Sequence, residues 1–289
     1  MEKIAAGIVL YNPELKRLEQ NISSILSQVD KVILVDNGSI NIKKVENKYK
    51  NIDKISIIKN KSNLGIAAAL NQIVNECDYR GFKWVLTLDQ DSVVPNNLID
   101  EYINYINYDK VAIITPYIVD INSKKHSNDI VHNKKYEYVR ECITSASLTN
   151  IEICKKLGCF DNEMFIDYVD FDYCTRVNLN GYSIIKVNST TLKHEVGKLQ
   201  EKYIFGKKIC VYNHSECRKY YYSRNIIYYC KKYKGLVSTI KPRIKLVNRF
   251  ISVILFESNK ILKIKYMLKG IKDGLNMRVP KYELSKKEV

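Results

Sequence analysis

The chain has 289 residues, 46% of them hydrophobic, which is enough to bury a sizeable core. Its formal net charge of +16 is uneven: residues 1–197 hold 24 Lys and Arg against 25 Asp and Glu, whereas residues 198–289 hold 23 against 6. Eight scattered cysteines without a CxxC pair argue against a zinc site or a disulfide framework, and no stretch approaches the roughly 20 apolar residues of a membrane-spanning helix.

The charge asymmetry predicts two parts. We expect a near-neutral catalytic domain over residues 1–200 and a basic, mainly helical region over residues 201–289. Free thiols fit a reducing cytoplasm. The apolar start of the chain is broken early by Asn12-Pro13, which is not the pattern of a signal peptide. We therefore expect a cytoplasmic protein that is soluble or peripheral to a membrane.

The first half of the chain alternates short apolar runs with helix-like segments. Strands are predicted at residues 3–10, 32–35, 55–58, 84–88 and 111–115. Helices are predicted after Asn12-Pro13, over residues 65–74 and from near Pro95. Strands that alternate with helices predict an α/β fold with a mostly parallel sheet flanked by helices.

Polar clusters follow four of these strands. They are Tyr11-Asn12, residues 36–39, residues 63–65 and residues 89–91. Because ligands of such sheets bind outside the carboxyl ends of the strands, four clusters in succession indicate a nucleotide pocket. Neither a GxGxxG fingerprint nor a P-loop is present, so another device must hold the phosphates.

The cluster Asp89-Gln90-Asp91-Ser92 supplies that device. In an extended backbone, residues two apart point the same way, so the two carboxylates can close on one cation. Mg²⁺ prefers oxygen ligands of this kind and shares them with phosphates. The alternative is a turn that caps the helix expected near Pro95.

Further candidates lie downstream. Small residues at 144–147, Ser145 among them, would let a ligand approach the backbone closely. A helix is predicted over residues 150–157 and another from near Asp170, which places that carboxylate in a first turn. Asp172 and Arg176 are spaced as an i,i+4 ion pair, which favours a structural role for Asp172. A strand through residues 184–187 leads to His194, a candidate third metal ligand.

Together these segments resemble the family-2 glycosyltransferases of the GT-A fold, and among them the rhamnosyltransferase branch. The resemblance spans about residues 3 to 200 and follows the family's order. It rests on residues 9–12, 35–39, 63–71, 88–92, 165–176 and 193–195. The stretch at residues 218–225 resembles the segment that follows in the rhamnosyl branch.

The resemblance implies an inverting, metal-dependent transferase with a nucleotide-sugar donor. The implied donor site comprises Tyr11, Asn12, Asp36, Asn63, Gly65, Asn71, Asp89, Gln90 and Ser145, with Tyr11 and Asp36 at the nucleobase. Asp89, Asp91 and His194 would hold Mg²⁺ or Mn²⁺. Asp170 falls on the catalytic-base position; Val169 stands where the family usually has a second acid, which leaves Asp167 and Asp172 as minor candidates.

The branch implies dTDP-L-rhamnose as donor and a cell-surface polysaccharide, such as an O-antigen, or a lipid-linked glycan as acceptor. Another donor, a hexose or galactofuranose, is the first alternative. The basic region mixes Lys and Arg with aliphatic residues, which suits an anionic membrane surface at the inner face of the cell membrane; the alternative is a helical face packed on the body. A non-catalytic protein that binds nucleic acid through this tyrosine-rich tail is the alternative from another class; no nucleic-acid partner is expected.

Overall fold

The computed structural model describes residues 2–120, 134–194, 200–204, 207–211 and 213–279. The chain forms two compact units. The first comprises Met1–Phe165 and Val169–His194, and the second comprises Ile166–Tyr168 and Glu195–Val289. The three residues Ile166–Tyr168 therefore belong to the second unit although their sequence neighbours belong to the first.

The first unit is built on an eight-stranded sheet. Its strands are β1 (Ile4–Leu10), β2 (Lys31–Asp36), β3 (Ile55–Lys59), β4 (Trp84–Asp89), β5 (Val111–Asp120), β6 (Tyr136–Val139), β7 (Ser147–Asn150) and β8 (Ser183–His194). Their order is β3-β2-β1-β4-β7-β5-β8-β6. The pairs among β1, β2, β3 and β4 are parallel, as is β5 with β8. The short strands β7 and β6 pair antiparallel with their neighbours.

Helices flank this sheet. They are α1 (Leu15–Ile25), α2 (Ile42–Tyr49), α3 (Ile66–Tyr79), α4 (Leu98–Ile103), α5 (Ile151–Lys156) and α6 (Val169–Leu179). All seven residues of β1 are buried, as expected for a central strand covered on both faces. Helix α1 faces the core with Leu18, Ile22 and Ile25 at helical spacing. The predicted α/β fold is confirmed. Helix α2 and strands β6 and β7 were not predicted from the sequence.

The second unit is mainly helical. A hairpin of β9 (Gln200–Ile204) and β10 (Lys207–Val211) precedes α7 (Glu216–Lys232), α8 (Ile240–Phe256) and α9 (Lys260–Asn276). Helices α7 and α9 approach closely because α9 carries glycine at the contact: a Cβ on Gly274 would lie 2.6 Å from the Arg224 carbonyl oxygen. Among the described residues, no helix is both long enough and apolar enough to cross a membrane.

Charged groups form part of the interior of this second unit. Glu257 is buried between Lys219 and Lys263, at 2.5 Å from the first Nζ and 3.1 Å from the second. Lys263 also donates a hydrogen bond to Asn213. Burial lowers the pKa of Lys219 to about 8. Since a buried charge is tolerated only when it is paired, this cluster requires all its members together.

Candidate active site

Three parallel strands end side by side at one edge of the sheet. The register pairs Leu10 of β1 with Asp36 of β2, and Val9 of β1 with Asp89 of β4. The polar residues that follow these strands therefore meet, as the sequence predicted for the carboxyl edge. This edge is the candidate donor site.

Tyr11 and Gln90 join the ends of β1 and β4. The Tyr11 backbone N–H donates to Oε1 of Gln90 at 2.9 Å, and Nε2 of Gln90 donates back to the Tyr11 carbonyl at 3.4 Å. The Tyr11 side chain is 50% exposed, so its ring presents an aromatic face at this edge. Gln90 thus fixes the backbone that carries that ring.

Asp36 organises the loop after β2. Its carboxylate is 1% exposed and accepts hydrogen bonds from the backbone N–H groups of Gly38, at 3.1 Å, and Ser39, at 3.1 and 3.2 Å. Asn12 secures the same loop from the β1 side: its N–H donates to Oγ of Ser39 at 2.8 Å, and its Oδ1 accepts from the N–H of Ile40 at 2.9 Å. Asp36 and Asn12 therefore hold the loop after β2 in shape through these hydrogen bonds.

Asn63 and Gly65 start helix α3. Oδ1 of Asn63 accepts from the N–H of Gly65 at 2.9 Å, and Gly65 has a φ of +89°. A Cβ on Gly65 would lie 2.6 Å from the Phe165 carbonyl oxygen, which already accepts from the N–H of Ile66 at 2.7 Å. Glycine is required here by both the left-handed conformation and the close approach of Phe165.

Asp89 and Asp91 lie in a turn. Strand β4 ends at Asp89, and the Ser92 N–H donates to the Asp89 carbonyl at 3.2 Å, so residues 89–92 form a turn rather than the extended pair assumed from the sequence. The hydroxyls of Ser92 and the buried Ser145 are 2.7 Å apart. Ser145 is only 1% exposed, so it supports this turn from the protein interior and does not line an open surface.

Asn21 and Arg17, which were not predicted from the sequence, also contact the turn at residues 89–92. Nδ2 of Asn21, fully buried on α1, donates to the Asp89 carbonyl at 2.5 Å. The sequence did contain a signal for this role. Asn21 lies three residues after Leu18 on the apolar face of α1, where a buried polar side chain needs a hydrogen-bond partner. Arg17 reaches Asp91 at 3.7 Å as an exposed ion pair.

Asp89 and Asp91 do not form a complete metal site by themselves. Among the described residues, no group of three or more His, Cys, Asp and Glu side chains could hold a metal ion. His194 is the last residue of β8, and its side chain lies outside what the structure describes. Asp91 is 44% exposed at its side chain and can reach a ligand in solution. Two oxygen donors at one turn suit Mg²⁺ or Mn²⁺ that takes its other ligands from phosphates and water.

Asp170 lies in the first turn of α6, where its Oδ1 accepts from the N–H of Phe171 at 2.9 Å. Its side chain lines a small, largely apolar cavity together with Thr87, Thr144 and Cys174. The Sγ atoms of Cys174 and Cys142 are 3.6 Å apart. Their hydrogen bond and burial raise the pKa of the Cys174 thiol, which keeps this wall neutral.

The two minor base candidates are engaged elsewhere. Asp172 is fully buried and paired with Arg176, with Oδ2 at 3.0 Å from Nε and 2.9 Å from Nη2, which confirms the predicted i,i+4 pair. Asp167 belongs to the second unit and pairs with Arg218 of α7 at 3.1 Å.

The stretch at residues 218–225 has a clear structural role in the second unit. Asp167 and Tyr168 both have positive φ angles, 67° and 69°. Asn225, fully buried, donates from Nδ2 to the carbonyls of Ile166, at 2.8 Å, and Asp167, at 2.9 Å. These contacts stabilise two consecutive left-handed residues that are costly for side chains other than glycine.

Comparison with known sequences agrees with the motifs. Residues 6–136 match the family model of Glycosyl transferase family 2. The chain is 29% identical over 287 residues to the dTDP-rhamnosyl transferase RfbF of Shigella flexneri, an alignment that covers 94% of this chain and 95% of that protein. It is also 29% identical over 217 residues to the uncharacterized glycosyltransferase MJ1057 of Methanocaldococcus jannaschii, covering 68% of this chain and 72% of that one.

Solved structures confirm the fold. TarS 1-349 of S. aureus in complex with UDP-GlcNAc superposes with a TM-score of 0.57 at 14% identity, over 95% of this chain and 81% of that chain. GalNAc-T7 with UDP, GalNAc and Mn²⁺ superposes with a TM-score of 0.58 at 12% identity, over 87% of this chain and 54% of that chain. At these identities the likeness concerns the fold, which is of the GT-A type inferred from the motifs.

Proposed function

We propose that the chain is a glycosyl transferase of family 2 and that it transfers L-rhamnose from dTDP-L-rhamnose to a hydroxyl group of a glycan. Similarity to a dTDP-rhamnosyl transferase over nearly the whole of both chains supports this donor. The observation that carries the proposal is the carboxyl edge of the sheet, where the Asp89 turn adjoins the Tyr11 and Asp36 loops.

The donor would lie along this edge. The exposed ring of Tyr11 offers a face for the nucleobase, beside the loop that Asp36 and Asn12 hold in shape. Asp89 and Asp91 would hold Mg²⁺ or Mn²⁺ against the diphosphate. When bound, the cation supplies positive charge that stabilises the leaving nucleoside diphosphate.

Asp170 would serve as general base. The acceptor hydroxyl loses its proton to this carboxylate as its oxygen bonds to the anomeric carbon, while the bond from that carbon to the diphosphate breaks. A single displacement of this kind inverts the anomeric configuration. Asp170 falls on the base position that the family resemblance implies, and it lines a cavity, which favours Asp170 for this role.

The acceptor is inferred from the resemblance to the rhamnosyltransferase branch. We expect a cell-surface polysaccharide or a lipid-linked glycan, reached by an enzyme that is peripheral to the inner face of the cell membrane. A different donor, a hexose or galactofuranose, remains the alternative, because the shape of the sugar pocket sets that preference.

A donor screen tests the proposal. The purified protein is incubated with Mg²⁺ or Mn²⁺ and a panel of nucleotide sugars, and released nucleoside diphosphate is measured. We expect release from dTDP-L-rhamnose above all others, with loss of release on chelation of the metal. Release from a hexose donor alone would replace rhamnose in the proposal, and no release from any donor would overturn it.

A further inference from the structure

Helix α8 carries an exposed aliphatic stripe, which we name the α8 stripe. Its members are Ile240, Ile244, Val247, Ile251 and Ile254, at successive steps of four, three, four and three residues. Apolar residues with this spacing line one side of a helix. Their exposed fractions run from 37% at Ile251 to 66% at Ile240. The interior-facing residues Leu246 and Val253 lie at other positions, so α8 has a second apolar side that faces solvent.

Basic residues accompany this stripe. Helix α8 contains Lys241, Arg243, Lys245 and Arg249, and it contains no Asp or Glu. Lys241 and Arg243 stand beside Ile240 and Ile244 in sequence, and both are exposed. The wider region agrees, with 23 Lys and Arg against 6 Asp and Glu over residues 198–289.

We propose that the α8 stripe docks on the surface of an anionic lipid bilayer. The aliphatic side chains would enter the boundary between head groups and acyl chains, and the flanking cations would contact anionic head groups. Long Lys and Arg side chains can keep their charges at that level while their stems lie on apolar material. The inference deepens the proposed function, on which its biological purpose rests, because it names the surface at which a lipid-linked acceptor would be met.

A second copy of the chain fits the stripe less well. The spacing is also that of a coiled-coil seam, but Lys241 and Arg243 would then flank the seam, and the facing helix would offer further cations and no acid. Five seam positions over 17 residues are also fewer than the three or four heptads that a stable seam needs. A lipid surface satisfies both the apolar and the basic residues.

A nucleic acid would be complementary to the basic residues of this surface but not to its aliphatic residues. Its phosphates would match the cations, but single-stranded bases bind by stacking on aromatic rings. All five members of the α8 stripe are aliphatic, so they would stay exposed in such a complex.

Helix α9 has a related surface. Ile261, Leu268 and Leu275, seven residues apart, are exposed at 87%, 55% and 57%. Lys265 and Lys272 are exposed between them. The same mixture of aliphatic and basic residues on a second helix is consistent with one kind of partner for both.

The test is co-sedimentation of the full chain with vesicles. Phosphatidylcholine vesicles are compared with vesicles of equal parts phosphatidylcholine and phosphatidylglycerol. We expect binding to the anionic vesicles alone, weakened by salt. The double variant Ile244→Gln/Ile251→Gln should lower the partition coefficient about tenfold or more, since two isoleucines no longer enter the bilayer. Lys241→Glu should weaken binding as well. The matched control Tyr79→Gln/Tyr138→Gln, which changes two exposed apolar residues of the first unit, should bind like the wild type.

Several results would overturn the inference. They are absence of binding to anionic vesicles, equal binding to neutral ones, wild-type binding by the stripe variant, or an oligomer in sedimentation velocity that the stripe variant abolishes, which would assign the stripe to a second copy. Circular dichroism confirms that each variant is folded. Donor turnover is measured separately in solution, so vesicle binding without turnover would refute the transferase proposal and leave the docking surface standing.

Discussion

The carboxamide of Asn71 holds the backbone of Phe160 at both of its polar groups. Nδ2 donates to the Phe160 carbonyl at 2.8 Å, and Oδ1 accepts from the Phe160 N–H at 2.9 Å. The sequence resemblance assigns Asn71 to the neighbourhood of the nucleobase. Its observed contacts tie helix α3 to the loop after α5, which places Phe160 at the cavity of Asp170.

Asn71→Ala should destabilise the protein by about 2 kcal/mol, because three hydrogen bonds are lost, two with the Phe160 backbone and one with Oδ1 of Asn162. Urea unfolding measures the change. Asn75→Ala is the matched control, since Asn75 is exposed on the same helix, and it should change stability by less than about 0.5 kcal/mol. Equal effects for the two variants would contradict the structural role.

Asp170→Asn should reduce kcat by about 10²–10⁴-fold, because asparagine cannot accept the acceptor proton, while the donor Kd stays close to the wild-type value. Turnover and calorimetric donor binding are the measurements. Asp172→Asn is the contrast: it breaks a buried ion pair and should cost about 3–5 kcal/mol of stability. Near-normal turnover in Asp170→Asn would show that another group is the base.

Gly65→Ala should destabilise the protein more than Gly81→Ala. Both glycines have positive φ, +89° and +77°, but Gly65 combines it with a ψ of 166°, a backbone region that is essentially restricted to glycine, so Gly65→Ala carries a larger backbone strain. A Cβ on Gly65 also overlaps the Phe165 carbonyl at 2.6 Å, whereas no atom of the described residues lies within 4 Å of one on Gly81. The difference between their unfolding free energies measures the cost of that overlap together with the extra backbone strain at Gly65. A difference near zero would contradict both costs.

Asp91→Asn should raise the concentration of Mg²⁺ or Mn²⁺ needed for half-maximal turnover, because one anionic ligand is lost. Arg17→Gln should shift that concentration slightly in the opposite direction, since it frees Asp91 from an exposed ion pair worth about 0–1 kcal/mol. Titration of both variants with Mg²⁺ or Mn²⁺, with turnover as the readout, measures these two shifts. If Asp91→Asn needs no more metal than the wild type, Asp91 is not a ligand.

His214 should make the free energy of unfolding depend on pH. Burial, followed by the nearby charges of Arg218 and Arg249, lowers its pKa to about 3 from 6.5. The folded state therefore binds fewer protons than the unfolded state between these values, and stability present above pH 6.5 is lost as the pH falls toward 3. Urea unfolding at pH 7.5 and pH 5 should show a smaller loss for His214→Gln than for the wild type. The same loss in both would place the titrating group elsewhere.

Much of the first unit could be predicted because its signals are local. Strands β1, β2 and β4 are continuous apolar runs, which is how buried strands appear in any sequence, and each predicted strand overlaps an observed one. The edge of the sheet followed from chain direction, since parallel strands bring their carboxyl ends together. By contrast, β6 and β7 have four residues each, too few for periodicity to register.

Residue type and order alone thus predicted the α/β class, the strands that end at the candidate site and the resemblance to glycosyl transferase family 2. The tertiary structure decided what each polar side chain does there: Asp36 and Asn71 hold backbone groups, Ser145 supports a turn, and Asp91 lies beyond the end of its strand. It also decided which apolar residues of α8 stay exposed. The physical reason is that periodicity depends on neighbours along the chain, whereas hydrogen-bond partners and burial depend on segments that are far apart, such as Asn71 and Phe160, which are separated by 89 residues.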